Sequence, residues 1–373
     1  MVQEMQQAMR KAIVHIGTEK TGTTSIQSGL FINRDELARR GWLFPISAGL
    51  QSNFRLVMFC KDTPPPFMLN FARLASADDV DEKWRREFAD RHRAEVQQFQ
   101  RQRNESVVVY SSEHLQSTLV EPEEVERLAD FLSSLYDEVE IVVYLRRQDR
   151  FALSAHNTAL RAGLTKPFDF SRIHPNSPYY NFLGLLERWS CVFGDRCMRV
   201  RVFERDKLVG GDAVRDFFEL VGLDSAALGL TIPAVENEAL SWTAQQLLYT
   251  FNRLVERLPN TERRQNSSMA DGNSNGVSDV ALARALRGKR RDFVRHVETI
   301  RDDYGKVLPP RAEAEAFQAQ FDAANAELFE RWLPGQSFDR RFTEYRTEPG
   351  LPPPLVDAKE QVRAWLETFS VAA

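Results

Sequence analysis

The stretch GTEKTGTTS at residues 17–25 is the feature that most narrows what this chain can fold into. A compact apolar run, Ala12 to Ile16, leads into it. From Ser25 to Arg40, Ile26, Leu30 and Leu37 then recur near helical spacing, up to Gly41. The pattern predicts strand, glycine loop and helix. A loop of this kind turns several backbone N–H groups toward one point, and the helix adds the positive end of its dipole, so the unit suits a phosphate group. Lys20 supplies a point charge, Thr21, Thr23 and Thr24 supply hydroxyl donors, and Gly22 lets the backbone approach the oxygens closely.

The position of the lysine discriminates between phosphate loops. In the nucleoside-triphosphate loop GxxxxGK[ST], lysine follows the second glycine directly. Here Thr23 holds that place and the lysine falls two residues before Gly22, which carries the cation to another side of the bound phosphate.

The rest of the chain repeats strand and helix patterns. Val107 to Tyr110 reads as a second buried strand, Glu121 to Tyr136 as a helix, Val139 to Leu145 as a third strand and about Asp149 to Ala162 as its helix. Met198 to Phe203 alternates with arginines, as a more exposed strand does. Strands separated by helices imply parallel pairing. The expected fold class is α/β: a three-layer, P-loop-like fold with a central parallel β-sheet flanked by helices, and a helix-rich C-terminal half. One domain is expected over 10–345, with an insertion at about 51–103 and a mobile polar loop at about 260–278. A C-terminal extension with a short helix follows at 346–373.

Composition removes several function classes. With 49 basic against 53 acidic residues and a net charge of -4, the chain lacks the basic excess of a sequence-independent nucleic-acid binder, so any anion site is local. Cys60, Cys191 and Cys197 are an odd count without a CxxC pair, which favours a reducing compartment over a disulfide framework and offers no metal-ligand cluster. The apolar run after Lys11 is too short for a signal segment, and no apolar stretch is long enough to span a bilayer. A cytoplasmic protein without a membrane span or a bound metal is expected.

KTGTT at Lys20 to Thr24 resembles the phosphosulfate loop of the sulfotransferase superfamily, written roughly KxGTT or KSGTT after the first strand. The resemblance extends over about residues 11–345, through HIGTEKTGTTSIQ, the SSE of Ser111 to Glu113, YLRRQDRFALSAHN, PYYNFLGLLERW and NEALSW. It implies 3′-phosphoadenosine 5′-phosphosulfate (PAPS) as sulfuryl donor. By that resemblance Lys20, Thr21, Gly22, Thr23 and Thr24 hold the 5′-phosphosulfate, and Lys20 also stabilises the leaving bridging oxygen. Arg146 and Ser154 have the family's spacing of an arginine at a strand end and a serine eight positions on, and together they are expected on the 3′-phosphate. Arg147, one residue out of register, reads as a surface or acceptor-side arginine. The chain departs from the cytosolic steroid and phenol enzymes in lacking a segment like RKGxxGDWK, which leaves the second 3′-phosphate clamp unassigned.

Sulfuryl transfer needs a base beside the acceptor, and ligands gather at strand C-termini. The end of the second strand offers Ser111, Ser112, Glu113 and His114. In the superfamily this base is a His in many small-molecule enzymes and a Glu in several polysaccharide enzymes. Glu113 is the first candidate and His114 the alternative. His156 and Asn157 are candidates for the acceptor side or an exposed helix face, and His15 reads as a hydrogen-bonded structural residue. The expected activity is transfer to an acceptor hydroxyl or amine, with carbohydrate favoured over a lipid-linked glycan or small aromatic. The rival readings are a P-loop kinase-like phosphotransferase and a non-catalytic nucleotide-binding protein of the same fold.

Overall fold

The structure is a computed structural model and describes residues 9–103, 105–234, 240–256, 279–302, 308–345, 347 and 352–370. The polar segment expected as a loop at 260–278, and the start of NEALSW, lie outside them. By its internal contacts the chain divides into two units: residues 1–148, 174–236 and 318–340, and residues 149–173, 237–317 and 341–373.

The first unit is built on a parallel sheet. In chain order it opens with β1 (Met9–His15), α1 (Thr23–Ile32), α2 (Arg34–Arg39) and β2 (Trp42–Leu43). An insertion follows with α3 (Phe54–Cys60), α4 (Pro66–Ala72) and α5 (Glu82–Gln100). The sheet resumes with β3 (Glu105–Ser111), then α6 (His114–Thr118), α7 (Pro122–Ser133) and β4 (Glu138–Leu145), from which α8 (Gln148–Ala162) leads out. After α9 (Phe182–Phe193) come β5 (Met198–Val202) and α10 (Ala213–Leu220). All pairings are parallel, in the order β2-β3-β1-β4-β5. The expected α/β class with a central parallel sheet is what the chain adopts.

Central β1 carries Ala12, Ile13 and Val14, each at most 1% exposed, because helices cover both faces of a parallel sheet and leave no room for alternation. On one face Ile13, Val109 and Val142 share a core with Ile26 and Leu30 of α1 and Phe217 and Phe218 of α10. Edge strand β5 alternates buried Met198, Val200 and Val202 with the more exposed Arg199 and Arg201, as its arginine pattern predicts.

The periodicity from Ser25 to Arg40 predicts one helix, and the structure has two. At Asn33 the side-chain Nδ2 donates to the carbonyls of Gly29 and Thr231, each at 2.8 Å. Its Oδ1 accepts the Thr231 N–H at 2.8 Å. An asparagine that bonds its own helix and a distant backbone ends the helix there.

The second unit is helical. It contains most of α8, then α11 (Trp242–Glu256), α12 (Asp279–Leu286), α13 (Arg290–Glu298), most of α14 (Arg311–Ala319) and α16 (Ala358–Ser370). α15 (Asp322–Trp332) belongs to the first unit. Leu160, Leu247, Phe251, Phe293, Val362 and Trp365 form one core in the second unit. Phe293 lies 4.6 Å from Phe251 and 4.7 Å from Trp365, centroid to centroid, so the C-terminal helix is part of that core. Among the described residues, no helix is long and apolar enough to cross a membrane.

Candidate active site

The chain leaves β1 toward β2 and β3, and leaves β4 toward β5, so neighbouring β1 and β4 form the topological switch point of the sheet. In open α/β sheets the crevice beyond the strand C-termini at such a point receives ligands. The loop of residues 16–22 occupies it. Thr18 N–H donates to the Tyr144 carbonyl at 3.0 Å and Tyr144 N–H to the Gly17 carbonyl at 2.7 Å, which ties the loop to the end of β4. Arg146, just beyond β4, donates from Nη1 to the Lys20 carbonyl at 3.0 Å, and its guanidinium lies 5.7 Å from the Phe203 ring centroid.

The loop hydroxyls are used differently from the sequence expectation. Thr21 and Thr23 both donate from Oγ1 to the Thr18 carbonyl, at 2.6 and 3.1 Å, and Thr18 Oγ1 donates to the Tyr144 carbonyl at 3.0 Å. Their protons hold the loop in shape, which leaves backbone amides and the exposed Thr24 as the loop's outward donors. Lys20 and Gly22 both have positive φ, 63° and 77°. At Gly22 a Cβ would lie 2.8 Å from Ala213 Cβ, so glycine is required twice over, by conformation and by space. Gly22 is also the N-cap of α1; no side chain caps the helix, and its first turn has no acidic residue. The orphan amides of the first turn are therefore available to an anion, which is the fit expected of a phosphate-bearing ligand.

The end of β3 stands beside this loop. Ser112 N–H donates to the His15 carbonyl at 3.0 Å, and a Cβ on Gly17 would lie 3.2 Å from Glu113 Cα. Gln27 of α1 donates from Nε2 to Glu113 Oε2 at 2.7 Å, which orients the carboxylate from the helix that follows the loop. Glu113 Oε1 accepts no hydrogen bond among the described residues. His114 turns elsewhere: its ring packs 4.9 Å from Phe67 of α4, and its Nδ1 is buried without a partner among the described residues. The structure thus brings Lys20, Arg146 and Glu113 to one end of the sheet, with His114 directed toward the insertion.

The remaining sequence candidates are placed as follows. Ser154 and His156 belong to the second unit, on α8; the Ser154 carbonyl accepts Thr158 Oγ1 at 3.3 Å. His156 Nε2 lies 2.6 Å from Tyr249 Oη, and burial lowers its pKa to about 4. The Asn157 carbonyl accepts from Arg161 Nη1 at 3.3 Å. Arg147, read from sequence as a surface or acceptor-side residue, is 1% exposed and donates from Nη1 to the Asp339 carbonyl. A segment nearly two hundred residues away covers it, which local pattern does not reveal. His15 is fully buried with Nδ1 2.8 Å from Ser111 Oγ, and burial pushes its pKa down to about 3, so it is a neutral structural residue as expected.

Sequence pattern gives no role to Glu19, Tyr179 or Gln116, which also border the site. Glu19 Oε2 accepts the Tyr179 hydroxyl at 2.7 Å and lies 3.7 Å from Lys20 Nζ. Burial, and then the negative charges of Glu19 and Glu113, hold the Tyr179 phenol far above its ordinary pKa. Gln116, fully buried on α6, receives the Glu19 N–H on Oε1 at 3.4 Å. Only the place of Glu19 inside GTEKTGTTS marked it, and nothing marked Tyr179 beyond its PYYN context.

No known protein-family profile matches the chain. Over 85 residues it is 29% identical to an uncharacterized protein of Archaeoglobus fulgidus, a stretch that spans 23% of this chain and 23% of that protein. Among solved structures it is similar to a sulfotransferase from Alicyclobacillus acidocaldarius, at a TM-score of 0.35 and 18% identity, over 61% of this chain and 85% of that one. Neither similarity reaches the level at which one protein's activity transfers to another.

Proposed function

We propose that the protein is a sulfotransferase that uses PAPS as donor and carries the sulfuryl group to an acceptor hydroxyl or amine, with carbohydrate as the favoured acceptor class. The observation that carries this reading is the meeting, at the switch point of a parallel sheet, of an uncapped helix N-terminus, Lys20 on a left-handed backbone, Arg146 bonded to the Lys20 carbonyl, and the Glu113 carboxylate. Lys20 and the amides of residues 21–24 hold the phosphosulfate. Arg146 is assigned to the 3′-phosphate by family resemblance.

The bound donor supplies a sulfuryl group on a phosphate leaving group. Glu113, oriented by Gln27, takes the proton of the acceptor through its open Oε1 as the acceptor's lone pair forms the new bond to sulfur. The bond from sulfur to the bridging oxygen breaks, and Lys20 with the loop amides offsets the charge left on that oxygen. Arg146 holds the Lys20 backbone at 3.0 Å, so the lysine's position is fixed from the neighbouring strand.

The test is calorimetric binding of the desulfonated donor, 3′-phosphoadenosine 5′-phosphate, against ATP. The parent is expected to bind the former more tightly, and Lys20→Ala and Arg146→Ala to lose about ten- to a hundredfold each, as charge-assisted phosphate contacts are removed. Tighter ATP binding turns the reading to a phosphotransferase. Tight binding without transfer to any acceptor in a broad panel turns it to a non-catalytic nucleotide-binding protein.

A further inference from the structure

We infer that Glu19 is a positioning residue that acts through Lys20: held by Tyr179, it is the resident counterion of the lysine ammonium, and a phosphate-bearing ligand must draw the ammonium away from it. The inference rests on the reading of the loop as a phosphate site.

Neighbouring side chains on an extended backbone diverge. Here the left-handed backbone at Lys20, with φ of 63°, accompanies an approach of Lys20 Nζ to within 3.7 Å of Glu19 Oε2. The two side chains are only 18% and 20% exposed, so water screens the pair less than it screens a surface ion pair. Glu19 is held in place from two directions. Its backbone N–H donates to buried Gln116, and the Tyr179 hydroxyl donates to Oε2 at 2.7 Å. Tyr180 packs edge-on to Tyr179 at 5.2 Å between ring centroids, and burial followed by the charge of Glu19 pushes its phenol up to about 12.

The arrangement makes one oxygen serve two donors. Oε2 accepts the phenol and also faces the ammonium, so the better the phenol satisfies it, the more weakly it holds the lysine. Glu19 therefore sets how much of the Lys20 charge is offered to an incoming phosphate, and it competes for that ammonium again when an anionic product departs. Arg146, bonded to the Lys20 carbonyl, keeps the backbone still, so the competition is confined to the side chain.

The two substitutions that follow have opposite signs. Glu19→Gln frees the ammonium and is expected to tighten binding of inorganic pyrophosphate about fivefold. Tyr179→Phe leaves the carboxylate leaning on the lysine and is expected to weaken it about twofold. Both are measured by calorimetry on the full chain at fixed ionic strength. In a Lys20→Ala background, Glu19→Gln is expected to change affinity by less than about twofold, because its route is the lysine. Equal tightening in that background means the carboxylate repels the ligand directly and overturns the inference. So does an unchanged affinity in Glu19→Gln, or the absence of pyrophosphate binding to every form. If Glu19→Gln does not fold, the sign of the Tyr179→Phe shift decides. A parallel titration with 3′-phosphoadenosine 5′-phosphate separates the two claims: the pyrophosphate pattern without binding of that nucleotide overturns the donor reading alone.

Discussion

In the loop after β1 nearly every side-chain hydroxyl is engaged within the fold: Thr18, Thr21 and Thr23 all donate to backbone carbonyls of the loop or of β4. In the turn after β3, which lies against it, Glu113 Oε1 and His114 Nδ1 have no hydrogen-bond partner among the described residues. The first region is saturated with its own bonds and presents backbone amides, a construction suited to holding a ligand in one geometry. The second leaves two titratable side chains unsatisfied, Glu113 beside the loop and His114 turned toward the insertion. On the proposed reading, holding and reacting are divided between two neighbouring loops of one sheet.

The largest expected effect breaks this division if it fails. Glu113→Gln keeps the size of the side chain and its place beside Gln27 but removes the proposed base. Transfer is expected to fall by about a hundred- to ten-thousandfold, with binding of 3′-phosphoadenosine 5′-phosphate changed by less than about threefold. A matched pair of activity and calorimetric measurements checks it. Full activity in this variant would put the acid–base group elsewhere in the turn and leave Glu113 a structural charge.

A middle-sized effect concerns His15, whose ring joins the two regions through Ser111. Burial holds its pKa at about 3, against about 6.5 in the unfolded chain. Between those values the unfolded state binds the extra proton, so stability falls as the pH is lowered through that window and is fully present above it. The contribution is at most about 1.4 kcal/mol per pH unit. Buried His92, also lowered to about 4, and His156 act in the same direction, so the measurement is a difference. Urea unfolding of the parent and of His15→Gln from pH 4 to 6.5 is expected to show a shallower slope in the variant; parallel slopes would mean the imidazole is not held neutral.

The same contrast explains what was legible in the sequence. The loop is local and backbone-built, so GTEKTGTTS announces its shape, and the apolar runs locate β1, β3, β4 and β5 to within a few residues. Two-residue β2 is too short to give a pattern. Features fixed by distant partners were hidden: the break at Asn33 depends on Thr231, 198 residues on, and the burial of Arg147 on Asp339, 192 residues on. The Glu19–Tyr179 bond spans 160 residues, and no spacing rule reaches that far. Sequence puts Glu113 ahead of His114 without deciding between them, because the turn between strand and helix sets which side chain faces the loop.

The smallest expected effect sharpens that last distinction. The His114 ring lies 4.9 Å from Phe67, and its Nδ1 is buried without a partner among the described residues. A buried polar atom left unsatisfied destabilises the fold, and an apolar side chain of similar volume removes that cost while keeping the contact with Phe67. His114→Leu is therefore expected to leave stability unchanged or to raise it by up to about 1 kcal/mol, seen as a small upward shift of the thermal midpoint. Transfer activity is expected to stay within about threefold of the parent, because the proposed base is the neighbouring carboxylate. A loss of activity in His114→Leu, with stability maintained and Glu113→Gln still active, would assign proton removal to the imidazole and make the insertion that carries Phe67 a wall of the reacting site.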